Sequence, residues 1–345
     1  MLKSAEFQSF TTVPNGVWQF ADGLNVIIGE NGLGKSHVLK ALYTMLKVQS
    51  GRSEDLSKSN LEKAYAEKLA RVMRPESLGR LVKRRQGRAR CEIRLVMKQG
   101  KQSSEIGFAT NAKSQVEVLK APENVLPRPP VYLPTRELMT LCPWFLNLYD
   151  NYHLEFEETW RDTVSLLGAP SVKGPREILA GQLIAPLEVA MGGKVEMDAP
   201  SGRFYLRVTG EGRMEMPLVA EGIRKFAMLA RLISTGAMLG HGYLFWDEPE
   251  TNLNPKLIRT LAQCIVHLAD QGIQVFIATH SLFLLREFEI LLASRDRGEG
   301  AAARYFGLRL QEQSVVLTQS NDLSDIGPVT ALDESLKQSD RYLDM

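Results

Sequence analysis

The stretch Gly29–Ser36, Gly-Glu-Asn-Gly-Leu-Gly-Lys-Ser, constrains this chain more than any other. It matches G-x-x-x-x-G-K-S, and its flanks decide what the match means. Leu24 to Ile28 before it is a short run rich in β-branched residues, too short for a helix, and reads as a buried strand. After it, Val38, Leu39, Ala41, Leu42, Met45 and Leu46 recur at helical spacing. A strand, a glycine loop and a helix in that order let successive backbone N–H groups converge on phosphate oxygens, with the positive end of the helix behind them. In such a loop Lys35 reaches the β- and γ-phosphates of a nucleotide, and Ser36 places its hydroxyl on Mg²⁺. The plainer alternative is a glycine turn that happens to contain Lys-Ser, and it leaves the flanking strand and helix unexplained.

A second stretch, Leu-Phe-Trp-Asp-Glu-Pro-Glu-Thr-Asn-Leu-Asn-Pro over residues 244–255, ends an apolar run on two adjacent acids, Asp247 and Glu248. Like charges that close repel and shift each other's pKa, so a cation is the expected compensation. Mg²⁺ carried by a nucleotide takes only one or two protein ligands. Asp247 is placed to hold that ion directly or through water. Glu248 is placed to face the γ-phosphate and act as general base on the attacking water. The competing reading makes the acids an N-cap region for the next helix, but Asn254 already fits the cap and Pro255 the first helical position.

The chain of 345 residues has a net charge of +2, so any affinity for nucleic acid must come from a local patch. Cys91, Cys142 and Cys264 are sparse, odd in number and without metal spacing, which fits a reducing compartment. No apolar segment opens the chain and no run approaches a membrane span. A soluble cytoplasmic protein without a membrane partner is expected.

Phe7, Phe10 and Val13, then Val17 to Phe20, read as strands around a turn at Pro14-Asn15-Gly16. Residues 49–90 are polar and rich in Lys and Arg. Three alternating runs follow, Cys91 to Met97, Ser104 to Ala109 and Gln115 to Leu119, then a short strand at Val131-Tyr132-Leu133. Residues 137–192 read as mostly helical, and Lys194 to Met197 with Arg203 to Val208 as a hairpin. Glu221 to Met238 is an amphipathic helix. Strand Tyr243 to Trp246, helix Lys256 to Gln271 (closed by Gly272), strand Ile273 to Ala278 and two late strands, Arg304 to Leu308 and Ser314 to Thr318, complete the reading.

With these pieces in order, the chain resembles stand-alone ABC-type ATPases of the OLD, RecF and SMC group, over roughly residues 1–290. Gly29–Ser36 matches the Walker A motif, and the opening Phe-Ala-Asp-Gly-Leu-Asn-Val-Ile-Ile before it is similar to the RecF type. Tyr243 to Glu248 matches Walker B with its glutamate, Glu250 to Pro255 the D-loop, and His280 in Phe-Ile-Ala-Thr-His-Ser the switch histidine that contacts the γ-phosphate. The resemblance implies an α/β P-loop NTPase of the ABC/SMC-head type, with a mixed central sheet, an antiparallel β subdomain and a helical, signature-containing lobe. One domain over 1–345 is expected, with a nucleotide-binding core lobe at 1–48 and 240–345. A β-rich basic insert takes 49–136 and the helical lobe 137–239. ATP and Mg²⁺ are the implied cofactors, with Glu30, Asn31, Gly32, Leu33, Gly34, Lys35, Ser36 and His37 around the phosphates, and Ser36 and Asp247 on the metal.

The signature loop departs from the transporter pattern Leu-Ser-Gly-Gly-Gln. In Leu218 to Phe226, Ala220 stands where serine donates a hydroxyl, Glu221 replaces the first glycine, and Gly222 keeps the second. One hydrogen bond to the γ-phosphate is therefore missing, a loss on the order of 1.5–3 kcal/mol, which Arg224 or Lys225 is placed to offset in part. A similar Glu-Gly signature occurs in the OLD-like group. The Gln loop has no clear match; by position Thr135-Arg136-Glu137 is the candidate, with Arg136 either on phosphate or paired with a surface acid.

In this family ATP lies between the Walker A of one head and the signature of another, so a homodimer around two ATP molecules, or a higher oligomer, is implied. Residues 49–215 carry no sustained heptads, and the tail after His280 is short for a nuclease domain. The resemblance thus points to an ATPase whose effector, such as a nuclease or toxin, is a separate protein, in the manner of bacterial antiphage defence. A RecF-like repair ATPase acting directly on nucleic acid is the alternative. Its best support is the basic run Lys83-Arg84-Arg85-Gln86-Gly87-Arg88-Ala89-Arg90, which is either a solvated loop or a phosphate-backbone contact. Tyr65 is the only aromatic residue between Gly51 and Arg90, which argues against base stacking. Trp144, Phe145, Tyr149, Tyr152, Phe156 and Trp160 cluster in the helical lobe, as core or as a partner surface.

Overall fold

The computed structural model describes all residues except 52–56, 85–86, 99–101, 153, 241, 295–299, 301, 328–329 and 345, and residues 330–333, 335 and 336 by their backbone alone. The chain begins with β1 (Leu2–Gln8), β2 (Gly16–Gln19), β3 (Leu24–Gly29) and α1 (Lys35–Gln49). Then come α2 (Lys58–Met73), β4 (Arg90–Met97), β5 (Ser103–Ala109), β6 (Glu117–Lys120) and β7 (Val131–Leu133). The helical part holds α3 (Cys142–Tyr152), α4 (Glu158–Leu167), α5 (Pro175–Met191), β8 (Gly193–Met197), β9 (Phe204–Val208), β10 (Gly212–Glu215) and α6 (Glu221–Ser234). The last third runs β11 (Gly242–Asp247), α7 (Pro255–Asp270), β12 (Ile273–Thr279), α8 (Leu282–Ala293), β13 (Ala303–Gln311), β14 (Ser314–Ser320) and α9 (Thr330–Leu343).

A six-stranded sheet in the order β14-β13-β3-β12-β11-β7 is the centre of the fold. All its neighbours pair in parallel except β13 with β14. Such a sheet must be covered on both faces, which is why its strands read as unbroken apolar runs. Successive side chains then serve two different cores. Val26, Ile28, Leu244, Trp246, Val275 and Ile277 face the helical side with α6 and α7. Ile27, Phe245, Phe276, Ala278, Tyr132 and Phe306 face the other side, with α1, α2 and the antiparallel sheet.

That antiparallel sheet has the order β2-β1-β4-β5-β6. Its first two strands come from outside the expected 49–136 insert, and β7, inside that range, belongs to the central sheet. The reason is side-chain chemistry between sheets. Gln274, fully buried on β12, accepts from Leu2 N–H at 2.9 Å and donates to the Leu2 and Ala21 carbonyls, each at 2.8 Å. At the other edge the Gln319 amide bridges β14 to the Gln19 N–H and the Val17 carbonyl of β2. These amides hold the N-terminal pair against the central sheet, where a sequence period of two gives no hint of which sheet a strand joins.

Residues 58–73 are a helix where only a polar, basic stretch was expected. Leu61, Tyr65, Ala66, Leu69 and Val72 form its buried stripe among many charges. A helix at 282–293, the strand at 212–215 and the C-terminal helix also add to the expected elements. In the basic run, Lys83 is half-buried and Arg84 and Arg88 are exposed, while Arg85 and Gln86 lie outside the described residues. Arg90 is held by Glu92 and Glu117. Of the aromatic cluster, Phe145 and Tyr149 are core, whereas Trp144, Tyr152 and Phe156 are exposed. Among the described residues no helix is long and apolar enough to cross a membrane. Cys91, Cys142 and Cys264 are all unpaired thiols.

Gln274→Leu removes three hydrogen bonds, two of them buried, and orphans the Leu2 N–H. Urea unfolding of this variant should show a midpoint shift equal to about 2–3 kcal/mol with an unchanged slope.

Candidate nucleotide site

The glycine loop leaves β3 at Gly29 and enters α1 at Lys35. Gly32 at φ 84° and Gly34 at φ 97° adopt left-handed backbone that L side chains disfavour. A Cβ on Gly34 would also lie 2.9 Å from Thr12 Oγ1. Gly34 is the N-cap of α1 and offers no side chain to the first turn of N–H groups, which leaves that end of the helix open to an anion. The Lys35 side chain is buried and donates to the Gly29 and Glu30 carbonyls at 2.7 and 3.0 Å. Burial lowers its pKa, while Glu248, Asp247, Glu250 and Glu30 act the other way. Glu30, Asn31 and Gly32 are exposed and Leu33 is buried. His37 Nδ1 lies 2.9 Å from Thr11 Oγ1, and burial lowers its pKa.

β11 delivers the two acids. Asp247 pairs in register with Ala278 of β12, and Thr279 with Ile28 of β3, so the three strand ends lie side by side. Asp247 is 9% exposed. Burial raises its pKa, against a hydrogen bond with Ser36 and the charges of Lys40 and Lys35. Its Oδ1 is buried with no hydrogen-bond partner among the described residues. An orphaned carboxylate oxygen beside a serine hydroxyl is a donor set that fits Mg²⁺. Among the described residues no three His, Cys, Asp or Glu side chains gather to hold a metal by themselves.

Glu248 follows at φ 45°, a left-handed conformation uncommon outside glycine. Its N–H donates to the Ala278 carbonyl at 2.9 Å, and its Oε1 lies 3.1 Å from His280 Nδ1. The Asn254 side chain accepts the Leu257 N–H at 3.0 Å and caps α7. So Lys35, Ser36, Asp247, Glu248 and His280 are brought together.

The signature residues are placed elsewhere. Ala220 is the N-cap of α6, without a side-chain hydrogen bond, and Glu221 opens its first turn. Gly222 packs on the D-loop of the same chain: a Cβ there would lie 2.6 Å from the Asn252 carbonyl oxygen. Close approach to its own D-loop is thus a sufficient reason for that glycine. Arg224 and Lys225, expected to offset the missing serine hydroxyl, are both engaged within the chain. Arg224 Nε lies 3.0 Å from Glu137 Oε1. Lys225 Nζ donates to the Thr251 carbonyl at 2.8 Å and to its hydroxyl at 2.7 Å. Arg136 is exposed and makes no hydrogen bond or ion pair with the described residues. Its neighbour Glu137 is the buried, organised group.

Several site residues escaped the sequence reading. Lys40 pairs with Glu157 at 2.5 Å, tying α1 to the start of α4. Its position one helical turn after Ser36 was the only signal. Lys225 was expected near phosphate and Glu250 only as the start of the D-loop match; their bonds to Thr251 and Thr279 had no signal in the sequence.

Lys225 lends itself to a pH test. Burial pushes its pKa down to about 8 from an ordinary 10.5. Between those two values the unfolded chain binds the extra proton, so this site's contribution to stability rises with pH there and is least below about pH 8. The difference in unfolding free energy between wild type and Lys225→Met should therefore grow in favour of wild type from pH 8 to 10. A flat difference contradicts the burial of this ammonium.

Residues 135–286 match a family model described as "AAA domain, putative AbiEii toxin, Type IV TA system". No curated protein matches the sequence. Among solved structures, an SMC head bound to the C-winged helix domain of ScpA aligns with TM-score 0.57 at 12% identity, over 92% of this chain and 97% of the other. The SMC head domain from Thermotoga maritima aligns with TM-score 0.51 at 12% identity, over 92% and 98%. An SMC head with an extended coiled coil from Pyrococcus furiosus, bound to the C-terminal domain of ScpA, aligns with TM-score 0.56 at 11% identity, over 99% of both chains. The chain therefore has the P-loop fold of an SMC head, and its residues 135–286 are similar to the AAA-domain model.

Proposed function

We propose that this chain hydrolyses ATP to ADP and phosphate as one half of a head-to-head homodimer, and that the dimer acts as a cytoplasmic switch on a separate effector. The observation that carries the reading is the triplet of strand ends. Glu248 lies between a buried, Ser36-bonded Asp247 and the His280 imidazole, on the same sheet edge as Lys35.

Backbone N–H groups of 30–37 would hold the phosphates, and Lys35 would exchange its bonds to the Gly29 and Glu30 carbonyls for phosphate oxygens. Ser36 and Asp247 would hold Mg²⁺, which when bound neutralises charge on the β- and γ-phosphates. Glu248 Oε takes a proton from water as its oxygen attacks the γ-phosphorus, and the bond to the β–γ bridging oxygen breaks. His280 keeps the Glu248 carboxylate aimed and meets the γ-phosphate. The first turn of α6 in a second copy, Ala220 to Gly222, would cover the γ-phosphate with N–H groups alone. Dimerisation is supported by the placement of that turn. It lies against its own D-loop, and none of its residues hydrogen-bonds its own glycine loop among the described residues.

A separate effector in antiphage defence is supported by the toxin–antitoxin description of the matched family model and by neighbours whose heads bind a second protein. The repair-type reading rests on the exposed Arg84 and Arg88 beside Lys83. Turnover stimulated by DNA with no partner present would favour it.

Glu248→Gln should retain ATP affinity and lose turnover by about 10²–10⁴-fold in a phosphate-release assay. Lys35→Ala should lose ATP binding itself. Normal turnover in Glu248→Gln would remove the proposed base.

A further inference from the structure

Glu250 has no role so far beyond its part in the field on Lys35, yet it is a buried acid three residues from Asp247. We propose that Glu250 is a positioning residue: through the Thr279 hydroxyl it fixes the turn that sets His280 against Glu248. The proposal rests on the ATPase reading above for its kinetic consequence, though not for its geometry.

Glu250 is 7% exposed and Thr279 is completely buried. The Thr279 hydroxyl donates to Glu250 Oε1 at 2.5 Å, and Thr279 Oγ1 accepts the Ser281 N–H at 3.0 Å. A hydroxyl has one proton, so these two bonds together fix its rotor. Ser281 is anchored in turn, because its Oγ caps α8 by accepting the Leu284 N–H at 3.3 Å. His280 therefore stands between two neighbours that cannot turn, with Nδ1 3.1 Å from Glu248 Oε1.

The other end of this chain of contacts is equally fixed. The Glu250 carbonyl accepts the Leu253 N–H at 3.1 Å, and Lys225 holds Thr251 next to it. Position 250 thus joins the D-loop to the switch turn within one subunit. Simple packing does not require an acid there. Among the described residues no cation lies within ion-pair distance and Oε2 is buried without a hydrogen-bond partner. A buried carboxylate in that condition is costly, and a leucine would fill the space without that cost. The carboxylate's charge also favours the buried Lys35 and Lys225 ammonium groups, and the bond to Thr279 is what ties it to the switch turn.

The test compares Glu250→Leu, Thr279→Val and Glu250→Gln in the full chain. Two readouts are needed: ATP turnover with ATP affinity, and the His280 imidazole NMR signal without nucleotide, assigned by its loss in His280→Ala. Glu250→Leu and Thr279→Val should lower kcat by roughly 10–100-fold at nearly unchanged ATP affinity, as expected for a misplaced catalytic group. Both should shift the His280 signal. Glu250→Gln keeps an acceptor oxygen and should recover most of the lost turnover and the original signal. An unshifted His280 signal in Glu250→Leu and Thr279→Val overturns the proposal, as does a parallel loss of ATP affinity. A wild type that does not hydrolyse ATP would remove the ATPase reading, and the His280 signal would still decide the positioning role.

Discussion

Lys35 is buried in the field of four carboxylates, which act against the cost of that burial together with the Gly29 and Glu30 carbonyls. The converse holds for Asp247, whose pKa burial raises and whose carboxylate form Ser36, Lys40 and Lys35 favour in opposition to that burial. Neither group is stable in that place alone. The parallel adjacency of β3, β12 and β11 enforces the mutual dependence by ending three strands at one line. The strands are apolar on both faces, so charge is confined to that edge. A phosphate group entering there would meet a lysine now occupied only by two backbone carbonyls.

The loop after β11 is held against this edge at some expense. Glu248 at φ 45° and Asn252 at φ 64° are both left-handed, each costing of order 1–3 kcal/mol. Thr251 donates its N–H and hydroxyl to the Glu248 carbonyl, and Lys225 fixes Thr251 from α6. Gly222 lets α6 come close enough for this. The N-terminal part of α6 and Glu248 are thereby linked within one chain. A second copy seated on the first turn of α6, as proposed, would act on Glu248 through Lys225 and Thr251.

Legibility in the sequence tracked locality. The glycine loop, the Asp-Glu pair at a strand end and the Asn254 cap are each specified within a dozen residues, and the structure places them at the expected ends of strands and helices. The α/β fold with a mixed sheet and an antiparallel subdomain was legible for the same reason. Helix 58–73 was not, because its five buried residues are diluted by charges that dominate a composition reading. The membership of β1 and β2 was not, because it depends on Gln274 and Gln319, more than 250 residues away. Arg136 drew notice by its position after β7, while the organised residue is Glu137. Lys225 and Glu250 act through contacts across sequence distances of 26 and 29, which no spacing rule anticipates.

In the proposed dimer each chain supplies half of a site: a phosphate loop and base on one surface, the side-chain-uncapped N-terminus of α6 on another. The most direct measurement is the mass of the Glu248→Gln protein in solution, by native mass spectrometry, with and without ATP and Mg²⁺. Two chains with two ATP molecules bound, reverting to one chain when nucleotide is withdrawn, is the predicted result. A single chain that binds ATP tightly and stays monomeric would contradict it.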